Sequence, residues 1–414
     1  MIVMISKLFN AIADTLEKSC IRTQLSTGEV LDAAQFWHDA ESTKIPMIVE
    51  KANNSGNREV TFLWRSKGIL QGVYIRLNRV TDKKDVKKGL MTRIPSTDIW
   101  TLTLELPASY RGSYSFIEIP SGMTSQDISQ LGGRFSPLPG RPDPFNKAPE
   151  INIRGFGESV LSLDLAPEQN DWGDHSRVCS GVLSTSYRSL AGRIRRVRFY
   201  LPEVPASTPL GLLVLPDAEI WFDRIDITKA IDIATNNARI APMAVLGIDN
   251  ISESDRLKIL GGNKELILDV AGSLIPEFYE CYPDIVWAGR SNTILAGQSL
   301  GGVTALMAAL YAPEIFGTVI SQSPSMWWSP DRKTPVMFTG DDISWVSKLM
   351  LSRPPKDVHI RLSVGSLEGT TVLHVCQLHQ LLLTSGVKSE LSVYMGGHDY
   401  AWWRGALIDA LKGI

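Results

Sequence analysis

The chain has 414 residues, 44% hydrophobic and 21% charged, with a formal net charge of −2. Its length exceeds one comfortable core, so two domains are expected, and its composition is that of a globular protein. The charge leaves no basic footprint for nucleic acid, and no run approaches the roughly 20 apolar residues of a membrane helix.

The apolar start Met1-Ile2-Val3-Met4-Ile5-Ser6-Lys7 lacks a basic n-region, and Asp14 and Glu17 follow it. It makes a poor signal peptide, so a cytoplasmic setting is expected. The four dispersed cysteines (Cys20, Cys179, Cys281, Cys376) form neither a disulfide framework nor a zinc pair, in keeping with a reducing compartment. After an opening helix-like segment the first third reads as β. The stretches 59–65, 72–77, 100–106 and 114–118 alternate apolar and polar residues between turn or charge clusters. They predict a small antiparallel β-sandwich. The run from Asp82 to Lys88 reads as a solvated loop. Pro137, Pro139, Pro142, Pro144 and Pro149 crowd a loop or linker. The expected division is a β-sandwich domain over 1–165, a linker over 166–184 and a second domain over 185–414.

From about Gly181 strands alternate with helices. Strand candidates are 195–201, 210–217, 242–249, 293–298, 317–321, 360–365 and 390–395, several of them near-continuous apolar runs. Helical patterns over 263–280 and 372–383 sit between them. This is the rhythm of an α/β sheet with crossover helices, whose ligands gather outside the carboxyl ends of the strands.

In that sheet an apolar strand runs into Gly297-Gln298-Ser299-Leu300-Gly301, and a helical segment follows. Gly-x-Ser-x-Gly in a strand–turn–helix context is the nucleophile elbow of an α/β-hydrolase. Ser299 is the candidate nucleophile, and the N–H of Leu300 a candidate oxyanion donor. Partners are expected in the order Ser, acid, His. Of six histidines only His398 lies just beyond the last strand, in Gly396-Gly397-His398-Asp399, where it can act as general base. Glu368, after the strand ending at Gly365, is the candidate acid; a dyad, or an acid from elsewhere, is the alternative. A second oxyanion donor is expected from Asp217-Ala218-Glu219-Ile220-Trp221, at Ala218 or a neighbour, against the reading of a plain turn. His374 and His379 lie on a helical pattern and read as structural or solvated.

Trp221, Trp327, Trp328, Trp402 and Trp403 follow these strands, five of the chain's eleven tryptophans. With Arg404 and Arg256 they could line a mouth for an aromatic, anionic ligand. The competing reading buries them in helix–sheet packing.

These residues together resemble the enterochelin (iron-enterobactin) esterases. The likeness rests on Ala296-Gly297-Gln298-Ser299-Leu300-Gly301-Gly302, on Ser321-Gln322-Ser323 leading to Trp327-Trp328, and on Gly396-Gly397-His398-Asp399 followed by Trp403-Arg404-Gly405. In the first third it rests on Phe62-Leu63-Trp64-Arg65, Asn78-Arg79-Val80-Thr81-Asp82, Tyr110-Arg111-Gly112-Ser113 and Asp143-Pro144-Phe145-Asn146. The resemblance implies a cytoplasmic serine esterase that cleaves the triserine lactone of enterobactin or its ferric complex. Products would be dihydroxybenzoyl-serine units, iron would be part of the substrate, and no cofactor is implied. By position it implies Ser299, His398 and Glu368 as the catalytic set, with Arg256 and Asn263 at polar positions of the family. Ile259, Asp217-Ala218 and Val375 depart from the family pattern and bear on substrate range. A carboxylesterase, thioesterase or acyltransferase of the same fold remains an alternative, as does a non-catalytic siderophore-binding protein. Oligomeric state is left open.

Overall fold

The computed structural model describes residues 20–30, 32–51, 54–82, 85–133, 136–151, 153, 156–173, 179–331 and 342–414. The apolar start, Lys83 and Lys84 of the charged run, and residues 174–178 of the expected linker lie outside them. The chain divides into two compact units, Met1–Pro167 with Met395–Ala401, and Glu168–Tyr394 with Trp402–Ile414.

The first unit holds strands β1 (Met47–Lys51), β2 (Asn54–Arg65), β3 (Leu70–Leu77), β4 (Thr92–Arg93), β5 (Ile99–Pro107), β6 (Arg111–Pro120) and β7 (Ser159–Ser162). They form two antiparallel sheets, ordered β1-β2-β5-β4 and β3-β6-β7. Alternation decides which residues meet between the sheets. Phe62 and Trp64 on β2 face Tyr114 and Phe116 on β6, with ring centroids 5.2 and 4.9 Å apart. Leu63 points the other way, into a cluster with Phe36 and Trp37 of the helix Ala33–Ser42. Asp32 caps that helix, accepting from the N–H groups of Ala34 and Gln35. Thus β2 is covered on both faces, and its alternation is weaker than a half-buried strand would show.

The second unit holds β8 (Val182–Leu190), β9 (Arg193–Leu201), β10 (Gly211–Pro216), β11 (Met243–Ile248), β12 (Thr293–Gln298), β13 (Thr318–Gln322), β14 (His359–Gly365) and β15 (Ser389–Tyr394). One sheet orders them β15-β14-β13-β12-β10-β11-β9-β8. The six strands from β10 to β15 run parallel, while β9 and β8 are antiparallel additions at one edge. The expected linker is therefore partly structured. The unit starts at Glu168, and β8 opens at Val182, inside the stretch 166–184. An edge strand exposes alternate residues on an open rim, so its sequence lacks the apolar run that marks the central strands.

From β10 the chain steps to β11 on one side, then to β12 on the other. The carboxyl ends of β10 and β12 thus form a topological switch point, where ligands of open α/β sheets bind. The helix Leu300–Tyr311 follows β12 and is buried over its first ten residues. That is why it is apolar on every face rather than along one stripe.

Candidate active site

At the end of β12, Ser299 takes φ 57° and ψ −117°, and the helix starts at the next residue. That backbone costs a residue with a Cβ about 1–3 kcal/mol and persists only where its surroundings over-determine it. Here they do. The Ser299 N–H donates to the Gln322 carbonyl at 3.0 Å, and its own carbonyl accepts from Gly302, Val303 and Ser325 N–H at 3.1, 3.3 and 2.9 Å. A Cβ at Gly297 would stand 2.3 Å from the Gly301 carbonyl oxygen, so the fold-back of helix on strand demands glycine there. Ser325, buried and absent from the sequence-based candidates, brings its Oγ to 3.1 Å from the Ser299 Oγ.

The loop after β10 is locked to this elbow. Asp217 lies at φ 58° and is buried, and its carboxylate gathers four donors. Arg256 holds it with Nε and one terminal nitrogen at 2.6 and 2.9 Å, and Asn250 Nδ2 and Gln298 Nε2 donate at 2.6 and 2.7 Å. Gln298, the residue before the nucleophile, accepts in turn from Trp221 Nε1 at 3.2 Å. Burial, and then the neighbouring Asp217 charge, holds the Glu219 carboxyl above the usual range. Asn250 donates to Glu219 from both its backbone and its side chain. Ala218 follows Asp217 and is fully buried. Space for its methyl comes from Gly247, where a Cβ would stand 2.7 Å from the Ala218 Cβ. Among the described residues the N–H groups of Ala218 and Leu300 have no backbone acceptor.

Glu368 is buried just past β14, where Oε1 accepts from Ser323 Oγ at 2.5 Å and from the Gly365 N–H at 2.9 Å. Trp403 Nε1 donates to the same Ser323 Oγ at 2.9 Å.

The aromatic mouth needs correction. Trp221 is fully buried under Gln298, and Trp403 is buried on Ser323, because both point back toward the sheet. Trp402 is likewise buried, stacked on Tyr394 at 4.9 Å. Arg404 donates to Gln169 Oε1 at 2.8 Å and lies over the Trp172 ring. Arg256 is committed to Asp217 and only 18% of its side chain is exposed. Trp327 and Trp328 keep part of their surface exposed, with Trp328 edge-on to Trp345. Asn263 caps the helix Lys264–Asp269 by accepting from the Leu266 N–H. His374 is buried on the helix Thr370–Thr384, where His379 Nδ1 meets Ser389 Oγ at 2.9 Å.

His398 lies four residues past β15, in the segment Met395–Ala401 that belongs to the first unit. The Asn78 side chain donates to the His398 carbonyl at 3.3 Å. Asp399, beside it in sequence, spends its carboxylate on the N–H groups of Ser113 and Ala401, at 2.6 and 2.9 Å. Sequence reading had no signal for these partners beyond the motifs that contain them.

Among the described residues no group of three or more His, Cys, Asp or Glu could hold a metal ion. No helix among them is long and apolar enough to cross a membrane.

Residues 59–172 match the family model "Enterochelin esterase, N-terminal", and residues 189–414 match the model "Putative esterase". The chain is 56% identical to an iron(III) salmochelin esterase of Escherichia coli O6:H1, covering 94% of this chain and 96% of that one. It is 29% identical to an iron(III) enterobactin esterase of Escherichia coli K12, over 85% of this chain and 90% of that one. Among solved structures, a ferric enterobactin esterase from Salmonella typhimurium superposes with a TM-score of 0.78 at 27% identity, covering 92% of this chain and 98% of that one. An enterobactin esterase of Shigella flexneri, determined in the presence of enterobactin, gives 0.77 at 27% identity with the same coverage.

Proposed function

We propose, for a chain that belongs to the enterochelin esterase family, that it is a serine esterase cleaving the ester bonds of a catecholate siderophore or its iron(III) complex. The observation that carries this reading is the strained, fully braced turn at Ser299, which a solvated loop serine would have no reason to keep. Relatives named for iron(III) salmochelin and iron(III) enterobactin supply the substrate class. The much higher identity to the first makes iron(III) salmochelin the first substrate to test. Iron enters as part of the substrate, no cofactor takes part, and a cytoplasmic site of action fits iron release.

In the proposed mechanism Ser299 Oγ attacks the ester carbonyl while His398 takes its proton. The tetrahedral oxyanion is received by the N–H groups of Leu300 and Ala218, which have no backbone acceptor among the described residues. Collapse expels the seryl alkoxide, to which His398 returns the proton. Water then attacks the acyl-enzyme, with His398 again as base, and regenerates Ser299. Glu368 is the proposed acid that orients the imidazole and stabilises its charged form. Trp327 and Trp328 remain as aromatic surface for the catechol rings.

The test is chromatography with mass detection of iron(III) salmochelin and iron(III) enterobactin, each incubated with wild type and with Ser299→Ala. Linear trimer, dimer and monomer products formed by wild type alone support the reading. Cleavage of a simple aryl ester with neither siderophore cut would leave a general esterase or thioesterase.

A further inference from the structure

The loop that carries His398 follows β15 in the chain, yet the segment Met395–Ala401 groups with the β unit. Its backbone is tied at both ends. Arg111 N–H donates to the Met395 carbonyl at 2.9 Å, Asn78 Nδ2 to the His398 carbonyl at 3.3 Å, and Ser113 N–H to Asp399 Oδ2 at 2.6 Å. Ala401 packs with Ile151 and Val160. At Gly397 a Cβ would stand 2.2 Å from Asn78 Oδ1 and 2.4 Å from Arg79 Cγ, so only glycine lies this flat against the Asn78–Arg79 turn.

That turn is itself rigid. Arg79 sits at φ 59°, and the Asn78 N–H donates to the Ser113 carbonyl at 3.1 Å. Thr81 Oγ1 accepts from the Leu77 N–H at 2.8 Å and donates to the Ile75 carbonyl at 2.6 Å. Beneath it the fully buried Tyr110 donates its hydroxyl to the Asn78 carbonyl at 3.2 Å.

A loop with two consecutive glycines has many conformations when left to itself. A general base displaced by about 1 Å can lose on the order of a hundredfold in rate. We propose that the β unit is a working part of the esterase, in which Asn78 and Asp399 are positioning residues that fix the His398 loop and thereby the base. The proposal rests on the assignment of His398 as base. It gives the β unit a role in the chemical step rather than in substrate capture alone.

The experiment is a set of double-mutant cycles on 4-nitrophenyl butyrate, a neutral ester that makes no use of siderophore contacts. Asn78→Ala and Asp399→Asn are each made in the wild type and in His398→Ala. In the wild type each lowers kcat about tenfold or more with KM changed less than about twofold. In His398→Ala, where no base is left to position, neither lowers the residual rate further. Equal losses in both backgrounds would overturn the proposal, since the residues would then act on the fold or on substrate. Asp399→Asn keeps one acceptor oxygen and is the gentler variant, and thermal unfolding checks that each protein is folded. A His398→Ala variant with wild-type rate would instead overturn the base assignment, a failure recognisable before the cycles are run.

Discussion

Ser299 is braced by its own neighbourhood: the strand before it, the helix after it, and the loop that follows β13. His398 sits in a loop whose supports, Asn78 and Ser113, precede the residues they hold by 320 and 286 positions. The elbow keeps its shape through backbone strain matched by local hydrogen bonds. The histidine loop is held by Asn78 and Ser113, far from it in sequence but in the same unit. One half of the proposed chemistry is thus intrinsic to the α/β sheet, and the other is assembled from remote parts of the chain.

Variants on either side sharpen this contrast. Ser299→Ala has the largest expected effect, a loss of kcat on the order of 10⁴ or more with no change in fold. Retained hydrolysis in that variant contradicts the whole mechanism. Next is the clamp beside the elbow. Arg256→Gln breaks a bidentate pair on a buried carboxylate, which costs several kcal/mol locally. It is expected to lower kcat on neutral and anionic esters alike, by about 10–100-fold, through the loop that presents Ala218. A raised KM confined to the anionic siderophore would return Arg256 to the role of substrate anchor.

On the remote side, Gly397→Ala forces a methyl into Asn78 and Arg79. It is expected to lower kcat about tenfold or more while the Ser299 turn, probed by stoichiometric phosphonylation, stays intact. Glu368→Gln keeps an oxygen that can accept the Ser323 and Gly365 hydrogen bonds, both of which go to Oε1, but removes the negative charge that would stabilise the imidazolium. A fall in kcat larger than any change in KM is expected, and an unchanged rate would leave a dyad.

The smallest effect is on stability. Burial in the β unit pushes the Asp143 carboxyl up to about 6, against an ordinary value near 3.8. Between those values the folded form keeps a proton that the unfolded form releases, so this contribution is present below about pH 4 and is lost as pH rises through 6. Asp143→Asn should remove that part of the slope, on the order of 1–3 kcal/mol, when denaturant unfolding of the two proteins is compared across pH 4–7. Parallel slopes would place the titration elsewhere.

Much of the fold was legible because its signals are local. The apolar runs of β10, β11 and β12 mark buried parallel strands, and Gly297-Gln298-Ser299-Leu300-Gly301 marks a strand–turn–helix elbow. Strand β8, with its sequence Val182-Leu183-Ser184-Thr185-Ser186-Tyr187-Arg188-Ser189-Leu190, was not, because an exposed edge needs no apolar face. The tryptophans misled for a different reason. Their place after strand ends is correct, but position along the chain does not say whether an indole turns outward or, like Trp221 and Trp403, inward to a buried partner. Nor does any periodicity announce the Asp217–Arg256 pair, the Ser325 hydroxyl or the Asn78 support. Each joins residues brought together only by the folded chain.

The nucleophile is the centre of this account, and a second serine hydroxyl lies only 3.1 Å from it. The most direct test is to react the protein with a fluorophosphonate and locate the adduct by peptide mass mapping. One phosphonyl group on Ser299, formed rapidly in wild type and slowly in His398→Ala, is the predicted result. An adduct on Ser325, or on no serine of this cluster, would contradict it.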